Sequence, residues 1–362
     1  MAQEYRIPFN KIGKGHNFKD STDISSIAYE IAKRSKFILG EEVENFEKKL
    51  GARYGGYAIG VANGTDALEI LLRLTQTPLS QLGKLVITVQ NAGPPPVSAV
   101  YRAGFSPMFC DVTKDGLMDP VCLRNILEKY DFPEGQVAAI LPVHLYGQAA
   151  PMKSIRAVAA QYGIPVIEDA AQAFGSSIDN CYGSFGMGMS FYPTKALGAL
   201  GDGGAIITHD EFLPSKIREF RAYGRDCRGV NSRLDELQAA FLSRNFNNSL
   251  KNLTRRRHLA HIYQKEIRPE LLHRVWNERE NYHLFTVLVY RREFVMRHME
   301  SLGVEPMVHY YHLGGSFCGD GCGTSVSEDL CHRVLSLPLY NSMEEDDVRY
   351  VIKALHEAID AT

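Results

Sequence analysis

The chain has 362 residues, of which 45% are hydrophobic and 23% are charged, and its formal net charge is −2. These values are average for a globular protein, and the length allows one large domain and a smaller one. The near-zero charge provides no electrostatic footprint for nucleic acid or an anionic membrane, so we expect neither as a partner.

No apolar run approaches the roughly 18–20 residues that are needed to cross a bilayer. The first residues, MAQEYR, contain no apolar signal-peptide core. The expected location is therefore the cytoplasm.

The seven cysteines are odd in number and widely scattered, which argues against a disulfide framework. Cys318 and Cys322, with His312 and His332 nearby, are candidate metal ligands. Their spacing matches no compact zinc pattern, and the segment is rich in glycine, as a surface loop would be. We therefore expect no metal site.

Strand-like and helical segments alternate through the first 210 residues. We predict strands at 57–62, 85–89, 108–112, 137–143, 165–167 and 205–208, and helices at 24–35, 42–50, 67–74, 123–129 and 152–162. This alternation indicates an α/β fold with a mostly parallel sheet that is covered by helices on both faces. In such sheets the functional residues gather at the carboxyl ends of strands, where residues 63–66, His144 and Asp169 fall.

Residues 235–247 and the basic run at 255–257 are interpreted as one long connecting helix. The basic run is typical of a solvated face or of packing charges. After about residue 270 the pattern restarts, with a strand at 284–290 and helices at 293–302 and 344–359. We therefore predict a large domain at 1–250 and a small C-terminal α/β domain at 251–362.

Asn63 and Gly64 precede Thr65 and Asp66, which open a predicted helix. A helix N-terminus offers free backbone N–H groups to an anion, and glycine permits close approach. A plain turn with a helix cap explains the same residues, and this motif alone favours that explanation.

Asp169 ends an apolar run and is followed by small residues, so a planar ring has room to approach it. Gln172 lies three positions later and can donate a hydrogen bond to an oxygen on such a ring. Taken alone, Asp169 is explained better as a helix cap or a solvated loop residue than as a catalytic residue.

Lys195 is the strongest single candidate. It follows the segment SFYPT, which begins at Ser190, and precedes a glycine cluster, a setting that suits a cramped site better than an exposed helix. A lysine amine can form a Schiff base with pyridoxal phosphate (PLP) and then act as general base and acid. An acid such as Asp169 would hold the pyridinium nitrogen protonated, and Ser190 would bind the phosphate.

Several segments occur together in one order. They are 63–68 (NGTDAL), 143–147 (VHLYG), 167–172 (IEDAAQ), 190–195 (SFYPTK), 201–204 (GDGG), 230–240 (VNSRLDELQAA) and 336–339 (SLPL). Over about residues 7–355, the chain resembles the DegT/DnrJ group of PLP-dependent sugar aminotransferases.

The resemblance implies an aspartate-aminotransferase-like fold (fold type I) and a homodimer with shared active sites. It implies Lys195 as the Schiff-base lysine, Asp169 at the pyridine nitrogen and Gln172 near the ring oxygen. The remaining implied roles are phosphate binding by Gly64, Thr65, Asp66 and Ser190, contact of Asn231 with the phosphate of the neighbouring subunit, and sugar binding by His309 and Tyr310.

One departure from the family concerns the residue that packs on the cofactor ring. The family usually has an aromatic or other flat residue there, whereas this chain has Pro94 or Pro95 within Pro94-Pro95-Pro96. Proline can pack on a ring face but lacks aromatic stacking. A smaller departure is Ala196, where the family often has asparagine.

The expected function is transamination of a nucleotide-linked keto-deoxy sugar, with dTDP as the favoured nucleotide and glutamate as the amino donor. The product would serve amino-sugar biosynthesis for a surface polysaccharide or a glycosylated natural product. An aminocyclitol substrate and a non-catalytic regulatory protein remain alternatives. Fold type I activities on amino acids would need an arginine for the α-carboxylate, and the sequence alone assigns none.

Overall fold

The computed structural model describes residues 5–11, 21–75, 84–130, 132–178, 180–311 and 325–362. In chain order these residues form α1 (Ser21–Arg34), α2 (Glu41–Tyr54), β1 (Tyr57–Val61), α3 (Gly64–Leu74), β2 (Leu85–Thr88), α4 (Pro94–Arg102), β3 (Ser106–Phe109), α5 (Pro120–Tyr130), β4 (Val137–Ile140), α6 (Met152–Gln161), β5 (Ile167–Asp169), β6 (Gly186–Ser190), β7 (Gly204–Thr208), α7 (Leu213–Phe220), α8 (Glu236–Glu266), β8 (Phe285–Leu288), α9 (Arg292–Ser301), α10 (Ser325–Arg333), β9 (Val334–Leu337) and α11 (Glu345–Asp360).

The central sheet has the strand order β3-β2-β4-β5-β6-β7-β1. Parallel bridges from Ile140 to Val166 and from Val143 to Asp169 join β4 to β5. Strands β3, β2 and β4 run parallel, as do β5 and β6, whereas β7 is antiparallel to both β6 and β1. The predicted α/β sheet is therefore confirmed, with β7 as the reversed strand.

Strand β6 was not predicted, because its sequence GMGMS has little strand propensity. Its glycines are explained by packing against α3. A Cβ on Gly186 would lie 2.6 Å from a methyl carbon of Leu71, and one on Gly188 would lie 2.8 Å from a methyl carbon of Leu68. The two glycines thus let α3 pack directly on the strand that ends at Ser190.

The predicted connecting helix is confirmed as α8, which is 31 residues long and capped by the Asp235 side chain. Its second half packs into a core that extends from Leu259 to Ala358 and includes Ile7 from the N-terminal segment. Antiparallel β8 and β9 form the sheet of this part. The division at residue 250 stays a prediction, since it falls within α8.

Within the described residues, no helix is both long and apolar enough to cross a membrane, and no cluster of three metal-ligating side chains occurs. Cys318, Cys322 and His312, which were considered as metal ligands, lie outside the described residues.

Candidate active site

The two predicted phosphate loops meet where α3 begins and β6 ends. The side-chain oxygen of Asn63 caps α3 by accepting from the N–H of Asp66 at 2.8 Å. A Cβ on Gly64 would lie only 2.8 Å from the Cβ of Ser190. Only glycine fits this contact, so the N-terminus of α3, which includes Thr65, lies directly beside Ser190.

Asp66 is held through both its backbone and its side chain. Its N–H is engaged by Asn63, and its carboxylate pairs with Arg102 at the end of α4 at 2.9 Å. Arg102 also pairs with the buried Glu69 at 2.7 Å. These contacts fix the direction of α3, and the role of Asp66 at the phosphate stays a prediction.

Asp169 ends β5 and is buried. Its Oδ1 accepts a hydrogen bond from the N–H of Ala171 at 2.9 Å. Burial raises the pKa of the Asp169 carboxyl, while the hydrogen bond and the charge of Lys195 act in the opposite direction. The hydrogen bond from Ala171 thus fixes this carboxylate, and its charge acts on the amine of Lys195.

Behind Asp169 lies a buried network that the sequence analysis missed. Glu168 accepts from His144 Nε2 at 2.9 Å, from Arg156 at 3.0 Å and from the Ser184 hydroxyl. Burial pushes the pKa of Glu168 up, but these partners outweigh it and hold the pKa below its usual range. His144 Nδ1 accepts from the N–H of Ala150 at 3.0 Å, so Nε2 carries the proton toward Glu168.

The sequence contained a signal for this network. Adjacent residues of a strand point to opposite faces of a sheet, so Glu168 and Asp169 cannot serve the same site. An acid in the buried strand β5 needs a partner of its own, and the preceding strand end supplies His144.

Lys195 lies in the turn that follows β6, with its N–H bonded to the carbonyl of Tyr192 at 2.8 Å. Burial lowers the pKa of the Lys195 amine to about 8, although the charge of Asp169 raises it. The turn closes tightly, since a Cβ on Gly198 would meet the carbonyl oxygen of Pro193 at 2.5 Å and one on Gly204 would meet the backbone of Asn63 at 2.4 Å.

Gln172 is oriented by two hydrogen bonds. Its Oε1 accepts from the N–H of Tyr146 at 2.7 Å, and its Nε2 donates to the hydroxyl of Tyr310 at 2.8 Å. Tyr146, whose φ is +61°, also donates its own hydroxyl to the carbonyl of His309 at 2.7 Å. Tyr146 therefore orients both Gln172 and the predicted sugar-binding pair, a role that the sequence did not reveal.

His309 and Tyr310 lie beside Lys195 and Asp169. Burial, followed by the charge of Lys195, lowers the pKa of His309 to about 4. Burial, followed by the charge of Asp169, raises the pKa of Tyr310 to about 12. Both side chains are consequently neutral near pH 7.

A cavity of about 500 Å³ lies beside Lys195, His309 and Tyr310. Its wall includes Tyr192, Thr194, Lys195, Arg256, His283, Glu305, Met307, His309 and Tyr310. The structure thus brings together the predicted lysine, acid, amide and sugar-binding pair in one region of the molecule.

Two predicted features lie at the edges of this arrangement. Asn231 is exposed and pairs through its backbone with Ala222, so its contact with a second subunit stays a prediction.

The prolines at 94–96 form the first turn of α4, where the helix needs no N–H donors, and Pro94 and Pro95 are exposed. The Tyr310 ring lies against Gly93, just before this turn.

The arrangement fits PLP in three respects. A buried amine of low pKa is available at Lys195, and a buried carboxylate at Asp169 is suited to a ring nitrogen. The Gly64–Ser190 contact brings the N-terminus of α3 beside the Ser190 hydroxyl, a pairing of donors that suits a phosphate.

Comparison with known proteins identifies the family. The DegT/DnrJ/EryC1/StrS aminotransferase family matches residues 19–356. The chain belongs to this family. The DegT/DnrJ resemblance, the enzyme class and the PLP cofactor that the sequence predicted are thereby confirmed.

Three curated relatives of this DegT/DnrJ member illustrate the range of names in the family. The "pleiotropic regulatory protein" of Geobacillus stearothermophilus is 33% identical over 92% of this chain and 94% of its own. The dTDP-3-amino-3,4,6-trideoxy-alpha-D-glucose transaminase of Micromonospora megalomicea subsp. nigra is 34% identical over 94% of this chain and 96% of its own. The UDP-2-acetamido-2-deoxy-3-oxo-D-glucuronate aminotransferase of Pseudomonas aeruginosa is 34% identical over 90% of this chain and 93% of its own.

Among solved structures, S. venezuelae DesV in complex with a ketimine intermediate superposes with a TM-score of 0.87. It is 30% identical, and the match covers 98% of this DegT/DnrJ chain and 99% of that one. The predicted fold type I architecture is confirmed by this likeness.

Proposed function

We propose that the protein transfers the amino group of glutamate to a keto-deoxy sugar carried by dTDP, as a step of amino-sugar biosynthesis. The observation that carries the proposal is the buried amine of Lys195 in the wall of a cavity of about 500 Å³, with a pKa that the charge of the buried Asp169 raises. When bound, PLP supplies an electron sink for the carbon that bears the amine. Relatives named for dTDP- and UDP-linked sugars support a nucleotide sugar as the acceptor.

The residues divide the work of holding the cofactor and moving the proton. Asp169 keeps the ring nitrogen protonated, and Gln172 Nε2 donates to the ring oxygen. Residues 64–66 and Ser190 bind the phosphate. Lys195, whose amine is partly neutral at physiological pH, would remove the proton from the carbon that bears the amine and deliver it to the carbon on the other side of that nitrogen.

The acceptor sugar is placed by neutral groups. The imidazole of His309 and the phenol of Tyr310 offer hydrogen bonds to sugar hydroxyls without adding charge to the cavity. In the proposed homodimer, Asn231 of a second subunit completes the phosphate site. The cytoplasmic location that we expect from the sequence stays a prediction.

A regulatory protein without catalysis is the second candidate function. It is favoured by the relative named as a pleiotropic regulatory protein and by the proline turn at 94–96 in place of a flat residue. The intact lysine, acid and amide of the site favour catalysis. An aminocyclitol as the acceptor is a third candidate, since a keto-cyclitol presents similar hydroxyls.

A substrate panel tests the proposal. We expect the purified protein to show the visible absorption band of a lysine-linked cofactor, and Lys195→Ala to abolish both that band and turnover. Incubation with glutamate and dTDP-, UDP- and GDP-linked keto sugars, with products read by mass and NMR, should give an amino sugar from the dTDP compound. Cofactor binding without turnover of any sugar or keto-cyclitol would support the regulatory candidate.

A further inference from the structure

Arg256 is a buried arginine in the wall of the cavity that contains Lys195. It lies on α8 within the basic run at 255–257, and only 8% of its surface is exposed. Together with Lys195 and Thr194 it lines two adjoining cavities, the larger of about 500 Å³ and the smaller of about 40 Å³. The guanidinium is therefore part of the active-site wall and not of the solvated surface.

The guanidinium of Arg256 is held by neutral groups alone within the described part of the chain. Its Nε donates to the carbonyl of Tyr282, and its Nη2 donates to the carbonyls of His283 at 2.7 Å and Leu339 at 2.9 Å. These hydrogen bonds leave Nη1 available. Burial lowers the pKa of Arg256 to about 10, so the charge persists at pH 7.

A buried cation without an anion is costly, because three carbonyl dipoles replace its hydration only in part. Guanidinium groups also bind carboxylates and phosphates more strongly than they bind neutral acceptors. The site is therefore better satisfied when an oxyanion occupies the cavity.

The other titratable groups in the wall do not supply that anion. His283 and His309 are neutral near pH 7, since burial and the nearby cations lower the pKa of both. Glu305 lines the cavity, but its carboxylate accepts from the N–H of Phe9 at 2.8 Å and forms no ion pair with Arg256. Among the described residues, every hydrogen-bond acceptor of Arg256 is a backbone carbonyl and none is a carboxylate.

We propose that Arg256 binds a carboxylate of the amino donor. The inference rests on the proposed transamination and identifies the donor subsite. The α-carboxylate of an amino acid is attached to the same carbon as the reacting amine, so it must bind close to Lys195. The diphosphate of a nucleotide sugar is separated from the keto carbon by the sugar ring, so it fits this deep position less well.

The neighbouring arginines show that the position is particular to Arg256. Arg255 donates to the carbonyl of Met343 at the protein surface, and Arg257 donates to the carbonyls of Glu280 and Gly175. The basic run thus contains two packing residues and one residue at the cavity.

The test measures binding of glutarate, a dicarboxylate that lacks an amine, to the PLP-loaded protein by calorimetry. Arg256→Gln is expected to weaken glutarate binding about 10- to 100-fold, the usual effect of losing a charge-assisted hydrogen bond. Arg256→Lys keeps the charge but loses the planar guanidinium. The glutarate affinity of this variant should lie between those of the wild type and Arg256→Gln. Binding of inorganic diphosphate should change little.

Arg292 provides a matched control, since it is also buried and donates to the backbone carbonyls of Cys331 and Val334, away from the cavity. Arg292→Gln should lower the melting temperature, as Arg256→Gln does, without changing glutarate affinity. The visible spectrum of the bound cofactor should be unchanged in Arg256→Gln, and its KM for glutamate should rise.

Unchanged glutarate affinity in the folded Arg256 variants would overturn the inference, as would a wild-type protein without measurable glutarate binding. Loss of diphosphate binding alone would assign Arg256 to the nucleotide sugar instead. A wild-type protein that binds glutarate yet never exchanges an amine with glutamate would overturn the proposed function and leave the carboxylate site intact.

Discussion

At the scale of single residues, the environment of Lys195 determines how readily its amine reacts. A solvated lysine has a pKa near 10.5, and burial lowers that of Lys195 to about 8 while Asp169 opposes the shift. The neutral amine is the nucleophile, so burial makes a large fraction of it reactive at physiological pH.

The first prediction concerns the pH dependence of cofactor capture by protein stripped of PLP. The capture rate, followed by visible absorbance, should rise with pH through a midpoint near 8, because the amine loses its proton there. Asp169→Asn removes the charge that raises this pKa, so its midpoint should move below 8. Asp210→Asn, a change at an exposed site, should leave the midpoint in place, and a wild-type midpoint near 10 would contradict the burial argument.

At the scale of elements, the loop after β5 is braced by the segment between α8 and β8. Asn281 is fully buried and donates to the carbonyls of Gln172 at 2.7 Å and Phe174 at 3.0 Å. Gly147 packs against it with φ +96°, and a Cβ at Gly147 would lie 1.9 Å from Asn281 Oδ1. The small C-terminal part of the chain therefore helps to hold Gln172 in position.

A double-mutant cycle tests this brace. Gly147→Ala should destabilise the protein by about 2 kcal/mol or more, through the positive φ and the clash. Asn281→Ala should cost about 2 kcal/mol, because two buried carbonyls lose their donor. The double variant removes the clash. Its loss of unfolding free energy should therefore be smaller, by about 1 kcal/mol, than the sum of the losses in the two single variants.

Urea unfolding at one fixed protein concentration measures all three variants of the cycle. Strictly additive losses would show that Gly147 and Asn281 act independently, and the brace would then be wrong.

At the scale of the whole molecule, the segment around Lys195 carries exposed apolar side chains. Tyr192 is 52% exposed and Leu200 is 44% exposed. Grouped exposed apolar residues are typical of interaction surfaces, which supports the proposed homodimer with shared sites.

Subunit mixing tests the shared site. Lys195→Ala and Asn231→Ala should each abolish or strongly reduce activity alone. If Asn231 serves the neighbouring subunit, a mixed dimer contains one intact site, so statistical reassembly of equal amounts should restore about a quarter of wild-type activity. If Asn231 serves its own subunit, mixing restores nothing. Light scattering should report a dimer for each variant.

The sequence predicted the helices and strands whose hydrophobic residues recur at regular spacing. It predicted fewer of the elements whose residues are chosen by the elements that pack on them. The strand, turn and helix at 57–74 were found as β1 and α3, and the helix at 235–257 was found as α8. Strand β6 was missed, because its alternating glycines make sense only against α3. The helix α4, which the prolines at 94–96 begin, was not among the predicted helices.

The sequence by itself determined the family and the cofactor, because several motifs in a fixed order leave few other interpretations, and it predicted the site residues. Only the tertiary structure decided which groups meet. It paired Glu168 with His144, fixed Gln172 through Tyr146 and Asn281, and placed Arg256 at the cavity. These contacts join residues that are separated in the chain. Their energies depend on how deeply each group is buried, and a short stretch of sequence does not reveal that burial.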